Sequence, residues 1–439
     1  GAHMASKDKT ILMEQEDERA AVLNYLKENK MLLISVDPGY DGFKIYINNR
    51  QFLSKSLVVE IGKSDDFEDI KLSTIGDGSF VQMRDFNSGK ILQYATGKNA
   101  QEDLINEAVD ISDFYANEER FSTPAFRASF YSAVIRALWC YSKEPNEVDF
   151  SIEDLNNLSS WKIWMIVTVP HAYKNEAEKN IRTLLSVPID ARIRLSRNVS
   201  VTLPAKLPIV QTIYYSQALA AFHGQYTNEC GDYSEDFEAA MQEHLPALLI
   251  DAGYHTCAIL FITKALQVLN GNVTDASGTA IPEEVFSMEE FDRETAKRLR
   301  NAYTTARISD AELSVSLINE YCSGKRTLFA STESGSVKVD VAAIRAEVLN
   351  DAKNRLIKYL DRKFGMKKVG SAFITGGTGG SVMFDYLSNI LTNWQNIEQV
   401  NLITGKDIDH NDVGSVFGVS YGAYKILVGL VRADAADGE

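Results

Sequence analysis

Apolar residues along this chain gather in short runs closed by turn residues. Met31-Leu32-Leu33-Ile34-Ser35-Val36 runs into Asp37-Pro38-Gly39, and Phe43 to Ile47 alternates directly after it. That pairing predicts a buried strand and a hairpin partner around Asp37 to Gly42. Leu57 to Ile61 reads as a third strand, and the polar, Gly/Asp-rich stretch from Gly62 to about Lys90 as a small inserted subdomain. Thr123-Pro124 opens a helix with a hydroxyl cap and a proline in the first turn. Phe126, Phe130, Val134 and Leu138 give it a core-facing stripe to about Tyr141. Trp161 to Val169 is a strand stopped by Pro170, and Asn175 to Leu185 is a helix. Val210 to Phe222 reads as a helix with small residues on one side, followed by an acidic loop, Gln225 to Glu243. Ala247 to Ile250 then runs into Asp251-Ala252-Gly253, with Ala258 to Thr263 and Leu266 to Leu269 as further strands. Ser287 to Tyr303 and Ala342 to Phe364 are amphipathic helices flanking a polar subdomain. Ala372 to Thr375 is a short strand, and a last helix covers about Gly414 to Val431. Lys7 to Lys30 is a charged helical extension with Ala20, Leu23 and Leu26 as its weak apolar stripe. Strands alternating with helices indicate an α/β architecture.

Two of these units echo each other. LISVDPGYDGFKIYI and LLIDAGYHTCAILFI each place D-x-G-Y between apolar strands. A unit repeated in both halves suggests two related domains. Each turn offers a carboxylate at a strand end and a glycine that lets backbone N–H groups approach a phosphate. Two such turns facing across a cleft would grip a polyphosphate, with Asp37 and Asp251 associating with its Mg²⁺ through water. Gly39, Tyr40 and Gly42 on the first turn, and Gly253, Tyr254, His255 and Thr256 on the second, are the expected contacts. His255 reads as a loop histidine rather than a catalytic base. A third glycine run, Gly376-Gly377-Thr378-Gly379-Gly380, links a strand to a helix, where backbone can lie flat against a nucleotide and the helix N-terminus favours anions. No G-K-[ST] follows it and it is not G-x-G-x-x-G, which excludes a Walker A loop and lowers NAD or FAD as ligands.

Composition narrows the classes further. The 439 residues hold 45 Lys plus Arg against 60 Asp plus Glu, a net charge of −15. That balance argues against direct coating of nucleic acid or of an anionic membrane, so any contact with DNA is expected through a basic partner. Cys140, Cys230, Cys257 and Cys322 are isolated in sequence, which suits a reduced, cytoplasmic compartment and no disulfide framework. No apolar run reaches the roughly 18 residues of a membrane span, and Gly1 to Ser6 reads as an expression scar. No histidine pair has zinc spacing. DIDHND at 407–412 begins like a calcium loop, but Asp412 stands where glycine is required and Gly418 where the closing Glu is.

The three loops, in this order and at these separations, resemble the actin-like ATPase superfamily, and most closely the plasmid-segregation actins of the ParM type. The likeness covers most of Met31 to Val431. The family's first loop has an Asp and often a Lys seven residues on, matched by Asp37 and Lys44. Its second D-x-G loop with a nearby Thr is matched by Asp251, Gly253 and Thr256, and its G-G-T adenosine loop by Gly376, Gly377 and Thr378, with Gly379 following. Gln217 stands where the family orients the attacking water. FGVSYGA keeps Phe417 and Gly422 of the family's closing helix, and YATGKNA at 94–100 and VPHAYKNE after the fourth strand look like the same group. Departures are Tyr40 in place of a common Ser, Ala258 in place of a second Asp, the acidic 225–243 insertion and the N-terminal extension.

The resemblance implies an actin-like, RNase H-like α/β fold, with two related domains around a nucleotide cleft, each carrying a small inserted subdomain. The expected limits are an extension over 1–30, a first domain over 31–223 with its insertion at about 62–93, a second over 245–411 with its insertion at about 280–341, and a C-terminal helix at 412–431 returning to the first. It implies ATP or ADP as ligand, with GTP as an alternative, and Mg²⁺. Gln217 and Asp251 would carry hydrolysis, and Lys297 and Arg298 are candidates for the purine. It implies a cytoplasmic homopolymeric filament that moves plasmid DNA through a DNA-binding adaptor. The rival is a non-polymerising relative such as a small-molecule kinase, which would need a carboxylate base near the second loop to deprotonate a substrate hydroxyl; Gln217 rather than Asp or Glu argues against it.

Overall fold

A computed structural model describes residues 16–39, 42–61, 78–85, 87–97, 121–171, 174–203, 206–233, 237–254, 257–263, 277–280, 286–304, 308–366 and 368–438. They divide into two compact units, one within Gly1–Glu243 and Ile403–Glu439, the other within His244–Ala265 and Asp275–Leu402. Tyr40, His255, Thr256 and the expected strand at 266–269 lie outside the described residues.

The first unit contains β1 (Met31–Pro38), β2 (Gly42–Ile47), β3 (Arg50–Lys55), β4 (Val58–Glu60), β5 (Gly78–Arg84), β6 (Ile91–Gly97), β7 (Lys162–Val169), β8 (Ala191–Ser196), β9 (Val199–Leu203) and β10 (Ile209–Ser216). One five-stranded sheet has the order β10-β7-β1-β2-β3. β1 runs antiparallel to β2 and parallel to β7, which is parallel to β10. Every residue of β1 is buried, which is why its apolar run is continuous rather than alternating. The strand expected at 57–61 is present as β4, but it is the fourth in order and lies in another sheet; the third strand, Arg50–Lys55, precedes it. β2 and β3 are joined by Asn48 and Asn49, at φ 45° and 77°, the left-handed pair that a two-residue hairpin turn requires.

The second sheet has the order β4-β6-β5-β8-β9. β5 and β6 therefore share a sheet with strands far along the chain, and this layer draws on more sequence than 62–93. The helix Pro124–Lys143 starts as the sequence predicts, with Thr123 Oγ1 accepting from the Phe126 N–H at 3.1 Å. The helix expected from Val210 does not begin there. Ile209–Ser216 is strand β10, pairing with β7, and helix covers only Gln217–Gly224. The β-branched and aromatic run Ile209-Val210, Ile213-Tyr214-Tyr215 suits a strand against a buried neighbour. The expected acidic loop holds a helix at its end, Phe237–His244.

The second unit contains β11 (Ala247–Ala252), β12 (Cys257–Ile262), β13 (Ser277–Ala280), β14 (Leu328–Thr332), β15 (Gly335–Val339), β16 (Ser371–Thr375) and β17 (Val400–Leu402). Its main sheet has the order β13-β12-β11-β16-β17. Reading outward from β11, a hairpin partner and a third strand lie on one side and two parallel strands on the other. The sheet around β1 has the same plan, so the echo in sequence is an echo in topology. Leu248, Ile250 and Ile259 pack in one core with Leu356 and Leu360 of the helix Val341–Phe364 and Leu387 and Leu391 of the helix Ser381–Gln395. A second, smaller core joins Leu299, Leu313, Ile318, Leu328 and Val339 under the β14–β15 hairpin.

The last helix, Gly418–Asp437, belongs to the first unit. Ser415–Asp437 is long and apolar enough to cross a membrane, yet 67% of its most apolar stretch is buried inside the fold. Ser35 in β1 donates its hydroxyl to Ser420 O at 2.8 Å. That burial accounts for its apolar composition.

Candidate functional site

Asp37 is the penultimate residue of β1, Thr168 lies near the end of β7, and Gln217 directly follows β10. These three strands are adjacent and parallel, so their carboxyl ends share one edge, where open α/β sheets bind ligands. Asp37 is 3% exposed. Its Oδ1 accepts from Thr168 Oγ1 at 2.8 Å and from Gln217 Nε2 at 3.0 Å. Its Oδ2 lies 3.4 Å from Lys44 Nζ. Lys44 sits directly opposite Asp37 in the β1–β2 register, which is what the seven-residue spacing produces. Asp37 thus fixes a cation and an amide at one strand edge.

The first turn is closed by Gly39, whose N–H donates to Gly42 O at 3.1 Å. Ser56 Oγ donates to Gly39 O at 2.6 Å. A Cβ on Gly39 would lie 2.2 Å from Lys44 Nζ, so any side chain there displaces the ammonium. Thr168 escaped the sequence reading. Its signal is a single hydroxyl in the apolar run Ile163 to Val169, just before Pro170. His171 beyond that proline sits with Nδ1 3.1 Å from Ser216 Oγ, next to Gln217.

In the second unit Asp251 pairs in register with Ala258 on β12 and Thr375 on β16. Ala258 thus occupies the place that Lys44 fills in the first hairpin, and this unit has no cross-strand cation at that place. The glycine run is fastened to the D-x-G turn by Thr378. Its Oγ1 donates to Ala252 O at 2.9 Å and Gly253 O at 3.1 Å, and its N–H donates to Ala252 O at 3.0 Å. Gly376 has φ 97°, and a Cβ there would lie 2.4 Å from Ala252 O and 2.7 Å from an Asp251 carboxylate oxygen. Only glycine fits this position. Gly377 is the exposed crest of the loop. Gly379 N–H donates to Gly376 O at 3.1 Å. The helix Ser381–Gln395 that follows has Gly380 as its N-cap and no side-chain cap.

Tyr254 is committed elsewhere. Its hydroxyl donates to Asp292 Oδ2 at 2.8 Å, tying the second turn to the helix Met288–Ala302. Asp292 is fully buried and lies 3.1 Å from Arg345 Nε. Burial pushes its carboxyl up to about 6, against the pull of the Arg345 guanidinium and the Tyr254 hydroxyl. Arg298, a purine candidate, instead pairs with Glu294 at 3.3 Å and Asp351 at 2.8 Å. Lys297 is exposed.

Among the described residues no three His, Cys, Asp or Glu side chains gather as metal ligands. Asp37 already meets Thr168, Gln217 and Lys44. Such a set does not suit a cation caged by protein. It fits Mg²⁺, which keeps several waters, rides on phosphate oxygens and asks for one or two carboxylates.

The duplicated β-β-β-α-β-α plan, with an acidic turn at each first hairpin, has a counterpart among solved structures. The actin-like protein Alp7A matches with a TM-score of 0.63 at 12% identity, over 93% of this chain and 99% of that one. The chain has an actin-like fold. This actin-like chain also matches ParM in a 15-stranded filament from Clostridium botulinum, with a TM-score of 0.57 and 15% identity over 91% of this chain and 99% of that one. Bacillus thuringiensis ParM, solved with ATP, matches with a TM-score of 0.53 and 11% identity over 92% and 100%. No protein-family model matches the sequence. No curated protein matches it either. At these identities the likeness is one of fold.

Proposed function

We propose that this actin-like chain binds and hydrolyses ATP, with GTP as the alternative nucleotide, and polymerises in its nucleotide-bound form. The observation that carries the reading is the Asp37–Lys44–Gln217 cluster at the carboxyl edge of three parallel strands. Lys44 supplies positive charge for phosphate oxygens, and Asp37 holds that ammonium in place. The first-turn residues Gly39, Tyr40 and Gly42 are assigned to the same phosphates. Gln217 gives its amide N–H to Asp37, which leaves its amide oxygen as the acceptor that orients a water. Asp251 is assigned as a second carboxylate for that water and for the hydration shell of the metal. Gly253, His255 and Thr256 are assigned to the phosphates, with Tyr254 contributing through its backbone alone because its hydroxyl is held by Asp292, and Gly376, Gly377, Thr378 and Gly379 to the nucleoside. Bound Mg²⁺ would neutralise charge on the β- and γ-phosphates. The protein is asked for positioning and electrostatics rather than covalent chemistry.

The setting we propose is a cytoplasmic filament that segregates plasmid DNA. The net charge of −15 supports an adaptor between filament and DNA rather than direct contact. Sedimentation tests the reading. Mg-ATP or a slowly hydrolysed analogue is expected to pellet the protein at about tens of micromolar, a concentration that weak subunit contacts require, while ADP is not. Failure to pellet in any nucleotide would turn the reading to a non-polymerising small-molecule kinase.

A further inference from the structure

The C-terminal helix carries a buried charge, Lys425. Lys425 is 8% exposed. Burial pushes its ammonium down to about 8, with Lys406 lowering it further and Glu229 opposing. A methionine of similar length would fill the space without desolvating a charge. Nζ donates to Gly224 O and stands 4.6 Å from the centroid of the Tyr421 ring. Gly224 is the last residue of the helix Gln217–Gly224. Its carbonyl has no partner within that helix and, among the described residues, takes besides the Lys425 ammonium a long 3.4 Å contact from Thr227 N–H. A cation at that end also suits the helix dipole.

Two further contacts set the same helix. A Cβ on Gly224 would lie 2.4 Å from Gly422 Cα, and one on Gly422 would lie 2.3 Å from Ala220 O. The two helices therefore touch backbone to backbone. The C-terminal helix also holds β1 through Ser35 and Ser420, two residues before Asp37. One element thus grips both the strand that carries Asp37 and the helix that begins with Gln217.

We propose that Lys425 is a positioning residue for Gln217, holding the far end of its helix so that the amide stays in register with Asp37. The inference rests on the hydrolysis reading above. Steady-state phosphate release by Lys425→Met, Gln217→Ala and the double variant, beside wild type, tests it. Lys425→Met is expected to lower kcat by about 10- to 100-fold, the scale of a misplaced reacting group, with KM for nucleotide unchanged. The double variant is expected to be no slower than Gln217→Ala alone, because the two act as one unit. Lys425→Gln keeps a donor at this position, is expected to recover part of the rate, and serves in place of the methionine variant should that one not fold. A wild-type kcat in Lys425→Met, or losses that multiply in the double variant, would overturn the proposal. If Gln217→Ala alone keeps the wild-type rate, the hydrolysis reading falls, and the positioning role with it.

Discussion

Asp37→Ala is expected to reduce nucleotide hydrolysis by about 10²–10³-fold, the scale on which preorganised electrostatic and water-positioning groups act. The carboxylate does not work alone. It holds Lys44 at 3.4 Å and the Gln217 amide at 3.0 Å, and Thr168 at 2.8 Å fixes the carboxylate itself. Removing it frees the cation assigned to phosphate and the amide assigned to water in a single step. Gln217→Ala and Asp251→Ala should fall in the same direction, each through one group. Asp37→Asn is the informative control. Its oxygen can still accept from Thr168 and Gln217, but it cannot pair with Lys44, so nucleotide binding should weaken more than the orientation of water. Phosphate release and nucleotide affinity, measured on folded variants, separate these effects. Were Asp37 only a turn residue, the alanine variant would lose about 1 kcal/mol of stability, as for a lost cap, and keep its rate.

The parts of this arrangement that could be read from sequence are those that local rules encode. The β1–β2 hairpin is legible because a continuous apolar run must be buried on both faces and Asp37-Pro38-Gly39 ends it. Lys44 is legible through the family's seven-residue spacing from Asp37, and the hairpin register is the physical reason for that spacing. The twin plan of the two sheets is legible in the repeated D-x-G-Y, since each copy sits between two strand-forming runs. Other features depend on contacts that no local pattern encodes. Thr168 matters only because β7 lies beside β1, and a lone strand hydroxyl carries no motif. Residues 209–216 look helical when read with the small-residue run SQALAAF after them, and parallel pairing with β7 decides otherwise. The strand Arg50–Lys55 is hidden because it carries only Phe52 and Leu53 as apolar residues, and Asn48-Asn49 before it is the turn signal. Lys425 could not be picked out, because its partner is a carbonyl 201 positions away in sequence.

Arg345→Ala is expected to be the most destabilising single change among the ion pairs of the second unit. Arg345 lies 3.1 Å from Asp292, which is fully buried and also accepts from Tyr254. Removing one partner of a buried pair leaves an uncompensated charge, at a cost of about 3–5 kcal/mol. The size of that loss should depend on pH, and the sign follows from the carboxyl. Its ordinary value is 3.8, and burial has already raised it to about 6 in the folded chain. Between those values the folded chain binds more protons than the unfolded chain, so stability falls as pH rises through the window. Loss of the guanidinium raises the folded value further and carries the window to higher pH. The deficit of Arg345→Ala relative to wild type should therefore be small near pH 5, where Asp292 can stay protonated, and largest near pH 8. Urea unfolding of both proteins at the two pH values measures it. Adding Asp292→Asn should recover much of the loss at pH 8, because the buried charge is then gone. An equal deficit at both pH values, with no recovery in the double variant, would mean that Arg345 acts through its packing or its contact with Asn319 and not through the charge of Asp292.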